Sequence, residues 1–222
     1  MNKLLLWVSV LSGLLEVFAQ TDMSGKVFVF PKESNCAHVT LITQLEKHLQ
    51  NFTVCLCTYT DLSHAYSLFS YSIQTKSNEI IIFKPKIGEY SFIIGSEKIF
   101  FKVYEPFPAP VHICASWESS SGIAEIWVNG KPLVRKGLGQ GRSVGAHPMI
   151  ILGQEQDSYG AGFDKSQSFV GEIGDLYMWD SVLSQEIQPV YQGVYSKPNI
   201  LNWQALNYKM QGYVVIKPLT WS

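Results

Sequence analysis

Residues 124–134 have the sequence Ala124-Glu125-Ile126-Trp127-Val128-Asn129-Gly130-Lys131-Pro132-Leu133-Val134. Val, Ile and Trp are enriched in strands. Asn-Gly is a preferred pair for a two-residue hairpin loop, because both loop positions can require a positive φ. We therefore predict a β-hairpin whose arms are residues 124–128 and 132–134.

Short segments of strand composition lie on both sides of this hairpin. They are rich in β-branched and aromatic residues, and turn-forming residues separate many of them. The predicted strands are residues 26–30, 52–59, 67–73, 80–83, 90–94, 99–103, 111–117, 149–152, 169–179 and 213–216. Many short strands of this kind predict an all-β protein, either a β-sandwich or a jelly roll.

One short helix is predicted near residues 184–193. Ser184 is a suitable N-cap, Glu186 follows in the first turn, and Gly193 ends the segment. Pro189 lies inside it, where proline removes a backbone donor and crowds the preceding turn. We therefore expect the helix to be brief or distorted. The sequence shows no internal repeat or linker, which predicts a single domain.

The first 19 residues resemble a secretion signal. Lys3 provides a positive charge, residues 4–15 are apolar, and the segment ends on the small residue Ala19. The apolar run is too short to span a bilayer. We predict cleavage after Ala19, one domain of residues 20–222, and a secreted, extracellular protein with no membrane span.

The charge balance argues against a nucleic-acid partner. The chain has 17 Lys and Arg residues against 18 Asp and Glu residues, which makes a formal net charge of −1. The sequence also contains no cluster of Lys and Arg residues that would attract a polyanion such as a nucleic acid.

The chain contains four cysteines, Cys36, Cys55, Cys57 and Cys114. In a secreted protein they are candidates for disulfides, and four cysteines allow three pairings. Zinc is the competing interpretation, but Cys55 and Cys57 lie only two positions apart on a strand pattern, which is not the usual spacing of a zinc pair. The residues alone leave the pairing open.

An acidic loop, residues 153–160, follows the buried strand pattern of residues 149–152. It contains Glu155 and Asp157 with amides around them. Carboxylates with neutral oxygen donors suit a hard cation such as calcium, which takes six to eight oxygens in loose geometry. The alternative is a solvated acidic turn, since Asp is common in turns.

Asn51-Phe52-Thr53 matches the acceptor motif for N-glycosylation. In a secreted chain this predicts a glycan on Asn51. The alternative is an unmodified strand edge.

The segment His112-Ile113-Cys114-Ala115-Ser116-Trp117-Glu118-Ser119 matches the pentraxin signature His-x-Cys-x-Ser/Thr-Trp-x-Ser/Thr. The acidic loop, residues 166–179 and residues 202–208 also resemble pentraxin sequence, and the resemblance covers residues 20–222. It implies a flattened jelly-roll β-sandwich with one short helix, assembled as a cyclic homopentamer. It also implies two calcium ions per subunit on one face.

The resemblance implies a disulfide between Cys55 and Cys114. Cys36 and Cys57 are additional to the family pattern. Because the number of cysteines is even and the expected compartment is oxidising, we predict that Cys36 and Cys57 pair with each other.

The resemblance further implies the calcium ligands. Those of the first ion are Asn78, Glu155, the backbone carbonyl of Gln156, and Asp157. Those of the second are Glu155, Asp157, Asp164 and Gln167. Alternate residues of an extended segment point the same way, so Glu155 and Asp157 can bridge both ions. Ser77 departs from the family, which usually has Asp there, and a neutral ligand predicts a weakened first site.

Two calcium ions with free coordination positions would bind an anion with paired oxygens, such as a phosphate ester, a carboxylate or a pyruvate acetal of a sugar. The expected pocket wall comprises Ile81, Phe83, Ile93 and Glu97. Phe83 and Glu97 resemble the Phe and Glu that contact choline in one member of the family, and an aromatic face suits a quaternary ammonium. Alternatively, Phe83 is ordinary strand packing and Glu97 a turn residue.

The function implied by the resemblance is calcium-dependent, lectin-like pattern recognition rather than enzymatic catalysis. Five sites facing one way would raise the apparent affinity for repetitive surfaces. The expected ligands are phosphocholine or phosphoethanolamine, phosphorylated or pyruvylated polysaccharides, microbial surfaces, amyloid fibrils and chromatin. The helix, on the opposite face, would meet complement and antibody receptors, although Pro189 is a point of difference.

Two other classes of function are alternatives to this interpretation. A jelly-roll glycoside hydrolase also uses closely spaced carboxylates, but the Glu-x-Asp-x-x-Glu pattern of that group lacks its last acid, because Gly160 stands there. A calcium-independent β-sandwich interaction module is the second alternative. Calcium-dependent binding would distinguish the module from the lectin-like protein.

Overall fold

A computed structural model describes residues 20–221 of the chain, and the predicted leader, residues 1–19, lies outside them. The described residues form sixteen strands, one α-helix and two short 3-10 helices. The strands are Lys26–Phe30 (β1), His38–Ile42 (β2), Asn51–Tyr59 (β3), Tyr66–Ile73 (β4), Lys76–Lys86 (β5), Glu89–Ile94 (β6), Glu97–Lys102 (β7), Val111–Glu118 (β8), Ile123–Val128 (β9), Lys131–Pro132 (β10), Lys136–Gly137 (β11), Met149–Leu152 (β12), Gly171–Trp179 (β13), Leu201–Asn202 (β14), Asn207–Gln211 (β15) and Val215–Pro218 (β16). The helix is Ile187–Tyr191 (α1), and the 3-10 helices are Lys165–Gln167 and Trp203–Ala205.

Two antiparallel sheets form the sandwich. The nine-stranded sheet has the order β10-β9-β8-β3-β13-β1-β16, with β11 beside β9 and β14 beside β13. The seven-stranded sheet has the order β15-β2-β12-β4-β5-β6-β7. This arrangement confirms the predicted all-β sandwich with one short helix. Within residues 20–221, no helix has the length and apolar character needed to cross a membrane.

Strand alternation separates the core from the outer face of the seven-stranded sheet. Ile80, Ile82 and Phe92 belong to the buried core cluster between the sheets. Their neighbours Ile81 and Ile93 lie on the opposite, outer face, where a cavity is found. The outer face of this sheet is therefore the one that carries a site.

The predicted hairpin is present, with a shorter second arm. Asn129 and Gly130 have φ values of 48° and 71°, as a two-residue loop of this type requires. A Cβ on Gly130 would lie 2.6 Å from Gln188 Oε1 and 2.9 Å from the Tyr191 ring. Helix α1 therefore packs closely against the hairpin turn of the nine-stranded sheet.

Two strands of the seven-stranded sheet, β2 and β15, were not predicted as strands. The two pair with each other over five residues. Lys209, Met210 and Gln211 of β15 are exposed, since this strand is at the edge of the sheet. An edge strand with few buried side chains lacks the apolar alternation on which the prediction depends.

The helix is brief, as expected, but it begins later than predicted. Its N-cap is Glu186 rather than Ser184. The first intrahelical hydrogen bond runs from Val190 N to Glu186 O at 2.8 Å. Pro189 thus lies within the first turn, where backbone donors have no intrahelical acceptor and proline costs little.

The disulfide between Cys55 and Cys114 joins directly opposed residues of β3 and β8, with a Cα–Cα distance of 4.1 Å. The predicted pairing of Cys36 with Cys57 is wrong in this structure, because both are free thiols. Cys57 belongs to the nine-stranded sheet, whereas Cys36 is an exposed loop residue just before β2 of the other sheet. The Cys36 thiol instead contacts Ser34 Oγ at 3.2 Å.

His112 lies beside this disulfide and makes the fold sensitive to acid. Its ring nitrogen Nε2 is 3.8 Å from Cys114 Sγ, and its ring packs on Tyr191 of α1. Burial lowers the pKa of His112 from 6.5 to about 4. Between these values the unfolded chain binds a proton that the folded chain excludes, so folding is less favourable as the pH falls.

We expect the free energy of unfolding to fall by up to about 3 kcal/mol between pH 6.5 and pH 4 through this group, at 1.36 kcal/mol per pKa unit. Urea unfolding in the presence of EDTA at several pH values would measure the slope. The variant His112→Gln should have a flatter slope, whereas His48→Gln, at an exposed histidine, should keep the wild-type slope. Identical slopes for wild type and His112→Gln would contradict the assignment.

Candidate metal and ligand site

The acidic loop is anchored to the seven-stranded sheet by the buried side chain of Gln156. Its Nε2 donates to the backbone carbonyls of Ser70 and Met149, each at 3.1 Å. Its Oε1 accepts hydrogen bonds from Ser72 Oγ at 2.7 Å and from Gly160 N at 2.9 Å. Because this side chain is fully engaged, only the backbone carbonyl of Gln156 is left to face a ligand.

The side-chain amide of Asn78, on β5, lies beside the Gln156 carbonyl and the Glu155 carboxylate. Its side-chain oxygen lies 3.2 Å from each of three other oxygens, the carbonyls of Ser77 and Gln156 and the Oε1 of Glu155. Four oxygens without a proton between them repel one another. Either the amide turns by 180° and donates hydrogen bonds to them, or a cation lies between them.

This set of donors fits calcium by its chemistry. It combines a carboxylate, a side-chain amide and backbone carbonyls, all of which are oxygen ligands that calcium accepts. Glu155, Asn78 and the Gln156 carbonyl therefore lie together, and their role as calcium ligands stays a prediction. Ser77 contributes its backbone carbonyl to the cluster.

The other acidic residues predicted as calcium ligands lie near Glu155. Burial and the nearby carboxylates of Asp157 and Asp164 raise the pKa of Glu155, while Lys98 lowers it. Asp164 caps the 3-10 helix Lys165–Gln167, accepting from Ser166 N at 2.9 Å, and this hydrogen bond lowers its pKa. The negative charges at this site repel one another. A bound cation would relieve that repulsion.

Among the described residues, the one tight group of three potential metal-ligating side chains is Cys55, His112 and Cys114. Two of these sulfurs are joined in the disulfide, so the group is not a metal site. The carboxylates around Glu155 are spaced more widely than that group. Calcium tolerates such spacing because its coordination is loose and includes water.

A cavity of about 600 Å³ opens beside Asn78 and Glu155 on the outer face of the seven-stranded sheet. Its lining includes Gln167 and the predicted wall residues Ile81, Phe83 and Ile93. Ile81 of β5 lies opposite Ile93 of β6, and Ile93 lies opposite Lys98 of β7. The register thus places two isoleucines and a lysine in one row across three strands.

Glu97 was predicted to line this pocket, and the structure places it elsewhere. Its carboxylate accepts a hydrogen bond from Gly139 N at 3.1 Å and pairs with Arg142 Nε at 3.5 Å. The reason is alternation, because adjacent residues of β7 point to opposite sides of the strand. Lys98, the next residue, faces the cavity instead.

Arg142 and Glu97 together support the hairpin turn between β6 and β7. Arg142 Nη2 donates to Ser96 Oγ at 3.1 Å. The Arg142 guanidinium also occupies the space where a Cβ on Gly95 would lie, with Nη1 1.9 Å from that position. Gly95 and Ser96 line the cavity, so the contacts of Arg142 with them stabilise part of the cavity rim.

Lys98, Gly95, Ser96 and Arg142 are site residues that the sequence did not reveal. Lys98 is next to the predicted residue Glu97 in sequence. Only its cross-strand register with Ile93 shows that its side chain is on the face of the sheet that carries the cavity. Arg142 is distant in sequence from Gly95 and Ser96, which it contacts, and no local pattern points to it.

A model of the Pentaxin family matches residues 26–218. The chain belongs to the pentraxin family. Serum amyloid P-component of Sus scrofa is 68% identical to it over 224 residues, and that of Homo sapiens is 67% identical over 222, with both chains of each pair fully covered.

Among solved structures, the heptameric SAP-like pentraxin of Limulus polyphemus matches with a TM-score of 0.83, covering 90% of this chain and 98% of its own. At 21% identity this likeness shows the fold alone. The predicted membership of the pentraxin family is confirmed, and the two relatives at 68% and 67% identity are serum amyloid P-components.

Membership establishes the general character of the protein. Pentraxins are oligomeric pattern-recognition proteins that generally bind calcium, and they are not enzymes. The predictions of a secreted, extracellular protein and of a non-enzymatic function are confirmed, since the relatives are serum components. The hydrolase alternative is excluded on the same ground.

Proposed function

We propose that this pentraxin binds two calcium ions per subunit at the acidic loop and, through them, anionic groups on its ligands. The observation that carries the proposal is the convergence of Asn78, Glu155 and the Gln156 carbonyl at 3.2 Å. Asp157 completes the first site. Asp157, Asp164 and Gln167 form the second with Glu155, and Gln167 shares the cavity with Asn78 and Glu155.

The calcium ions supply positive charge with free coordination positions, and the chain supplies the surface beside them. Asn78, Glu155 and Gln167 hold the metal side of the cavity, and Ile81, Phe83 and Ile93 form an apolar wall. A ligand would place a phosphate or carboxylate at the metal and an apolar portion against this wall. Phosphorylated or pyruvylated polysaccharides and phosphate head groups have this chemistry.

A preference for phosphocholine loses support from the structure. The resemblance of Glu97 to the glutamate that contacts choline in C-reactive protein requires a carboxylate in the cavity. Glu97 is bound to Gly139 and Arg142 outside it. The ammonium of Lys98 lies near the Phe83 ring, with Nζ 5.6 Å from the ring centroid, and a cation there repels a quaternary ammonium.

Assembly into a cyclic pentamer would align the sites on one side. The cavity lies on the outer face of the seven-stranded sheet, and α1 packs against the nine-stranded sheet. Identical sites on one side of a ring raise the apparent affinity for repetitive surfaces by roughly 10² to 10⁴. Microbial surfaces, amyloid fibrils and chromatin are ligands of this repetitive kind, and the helix side is left for complement and antibody receptors.

The direct test is chromatography on immobilised phosphoethanolamine and on agarose. We expect retention in millimolar calcium and elution by EDTA. Retention that does not depend on calcium would favour the β-sandwich interaction module. Sedimentation of the same sample would show whether the ring has five subunits or, as in the Limulus polyphemus relative, seven.

The weak point of the first calcium site should be Ser77. Introducing a carboxylate with Ser77→Asp should raise calcium affinity on the order of tenfold, because a unit charge 4 Å from a dication gains about 2 kcal/mol even at the dielectric of water. Calorimetric titration would compare the variant with wild type. Ser158→Asp, at an exposed serine of the same loop, is the matched control, and equal gains from both would refute a specific role for position 77.

We also propose a glycan on Asn51. The residue is the first of β3 and is half-buried, with Glu118 opposite it. A mass difference removed by peptide N-glycosidase and absent in Asn51→Gln would establish the modification.

A further inference from the structure

The cavity contains a positive charge that is not among the proposed calcium ligands. Lys98 lines the cavity, and its Nζ lies 5.6 Å from the Phe83 ring centroid and 5.2 Å from that of Phe100. Phe83 and Phe100 lie in one cross-strand row, with Ser91 between them, next to the row that contains Lys98. The ammonium therefore lies near two aromatic rings, on a strand two positions across the sheet from β5.

The lining of the cavity changes in chemistry across the sheet. Asn78 of β5 lies beside Glu155. Lys98 lies on β7, two strands away, in the cross-strand row that also contains Ile81 and Ile93. Neighbouring strands are about 4.8 Å apart, so the row from Ile81 through Ile93 to Lys98 spans roughly 10 Å of backbone, and the long lysine side chain can shorten the gap. Glu155 and Lys98 are the charged side chains that line this cavity among the described residues.

We propose that Lys98 is a second anion subsite, and that this protein selects ligands with two anionic groups separated by a short apolar segment. This inference rests on the proposed calcium-dependent binding. One anionic group coordinates the metal at Asn78 and Glu155, the apolar segment lies over Ile81 and Ile93, and the second anionic group pairs with the Lys98 ammonium. A ligand whose distal group is an ammonium meets Lys98 as a like charge.

A pair of small phosphates differing only in the distal group tests the proposal. The probes are 2-carboxyethyl phosphate, with a distal carboxylate, and phosphoethanolamine, with a distal ammonium. Propyl phosphate has no distal charge and reports the metal end alone. Calorimetry of the calcium-loaded protein should give tighter binding of 2-carboxyethyl phosphate than of phosphoethanolamine by on the order of tenfold, the range of a partly exposed charge contact.

Variants of Lys98 test whether this residue causes the preference for 2-carboxyethyl phosphate over phosphoethanolamine. Lys98→Met should remove the preference for the carboxylate, and Lys98→Glu should reverse it, each measured as the ratio of the affinities for the two charged probes. Lys102→Met is the matched control, because Lys102 is an exposed lysine on the same strand, four residues away and opposite Glu89. It should keep the wild-type preference.

The outcomes separate the two proposals. Equal binding of the two charged probes by wild type, or a preference that survives Lys98→Met, would overturn the anion subsite while calcium-dependent binding of propyl phosphate still stands. If propyl phosphate shows no calcium-dependent binding, the proposed function itself fails, and the subsite fails with it.

Discussion

The variant Glu155→Gln should lose calcium-dependent ligand binding. Glu155 is assigned to both ions, and its carboxylate is the charged member of the oxygen cluster with Asn78 and the Gln156 carbonyl. Removing a unit charge near two dications costs about 4 kcal/mol even at the dielectric of water, so calcium affinity should fall by at least about a hundredfold. Isothermal titration with calcium, followed by retention on immobilised phosphoethanolamine, would measure both consequences.

The same variant should not be less stable in the absence of calcium. Burial together with Asp157 and Asp164 disfavours the ionised form of Glu155 and raises its pKa. A neutral isostere removes this unfavourable charge, so the melting temperature in EDTA should be unchanged or higher. Glu46→Gln, at an exposed glutamate outside the ligand cavity, should retain normal calcium binding. Full calcium affinity in Glu155→Gln would refute the assignment of the ligand set.

Removal of the disulfide should have the largest effect on stability. Cys55 and Cys114 close a loop with a sequence separation of 59 residues. In the chain-entropy model this crosslink contributes about 4 kcal/mol by restricting the unfolded chain. The double variant Cys55→Ala/Cys114→Ala should therefore melt roughly 8–16 °C lower, at 2–4 °C per kcal/mol for a domain of this size.

The free cysteines provide the control. Cys36→Ala changes an exposed thiol and should leave the melting temperature nearly unchanged. Thiol titration of unreduced, denatured protein should find two free thiols per chain, and four after reduction. A drop in stability for Cys36→Ala equal to that of the double variant, or a count of zero thiols before reduction, would show that Cys36 and Cys57 are bonded after all.

The thiol of Cys57 illustrates why pairing could not be inferred from the number of cysteines. Burial, followed by the charge of Asp175, raises the pKa of Cys57 to about 12. The thiolate needed to form a disulfide is therefore disfavoured. An even cysteine count says nothing about which sheet each cysteine occupies, and Cys57 and Cys36 belong to different parts of the sandwich.

The sequence by itself determined the class of fold. The Asn129-Gly130 turn and the apolar segments around it predicted an all-β sandwich, because strand composition and turn chemistry are local properties. It also determined the candidate ligands that lie in one loop, since Glu155 and Asp157 are neighbours along the chain. The signature at residues 112–119 added the family.

Only the tertiary structure decided which residues meet across strands. Asn78, on β5, reaches Glu155 in the acidic loop. Lys98 rather than Glu97 faces the cavity, because adjacent residues of a strand point to opposite faces. Arg142 reaches the rim at Gly95 from a distant segment. Local pattern specifies that a strand forms, whereas register between strands specifies the chemistry of the surface that they share.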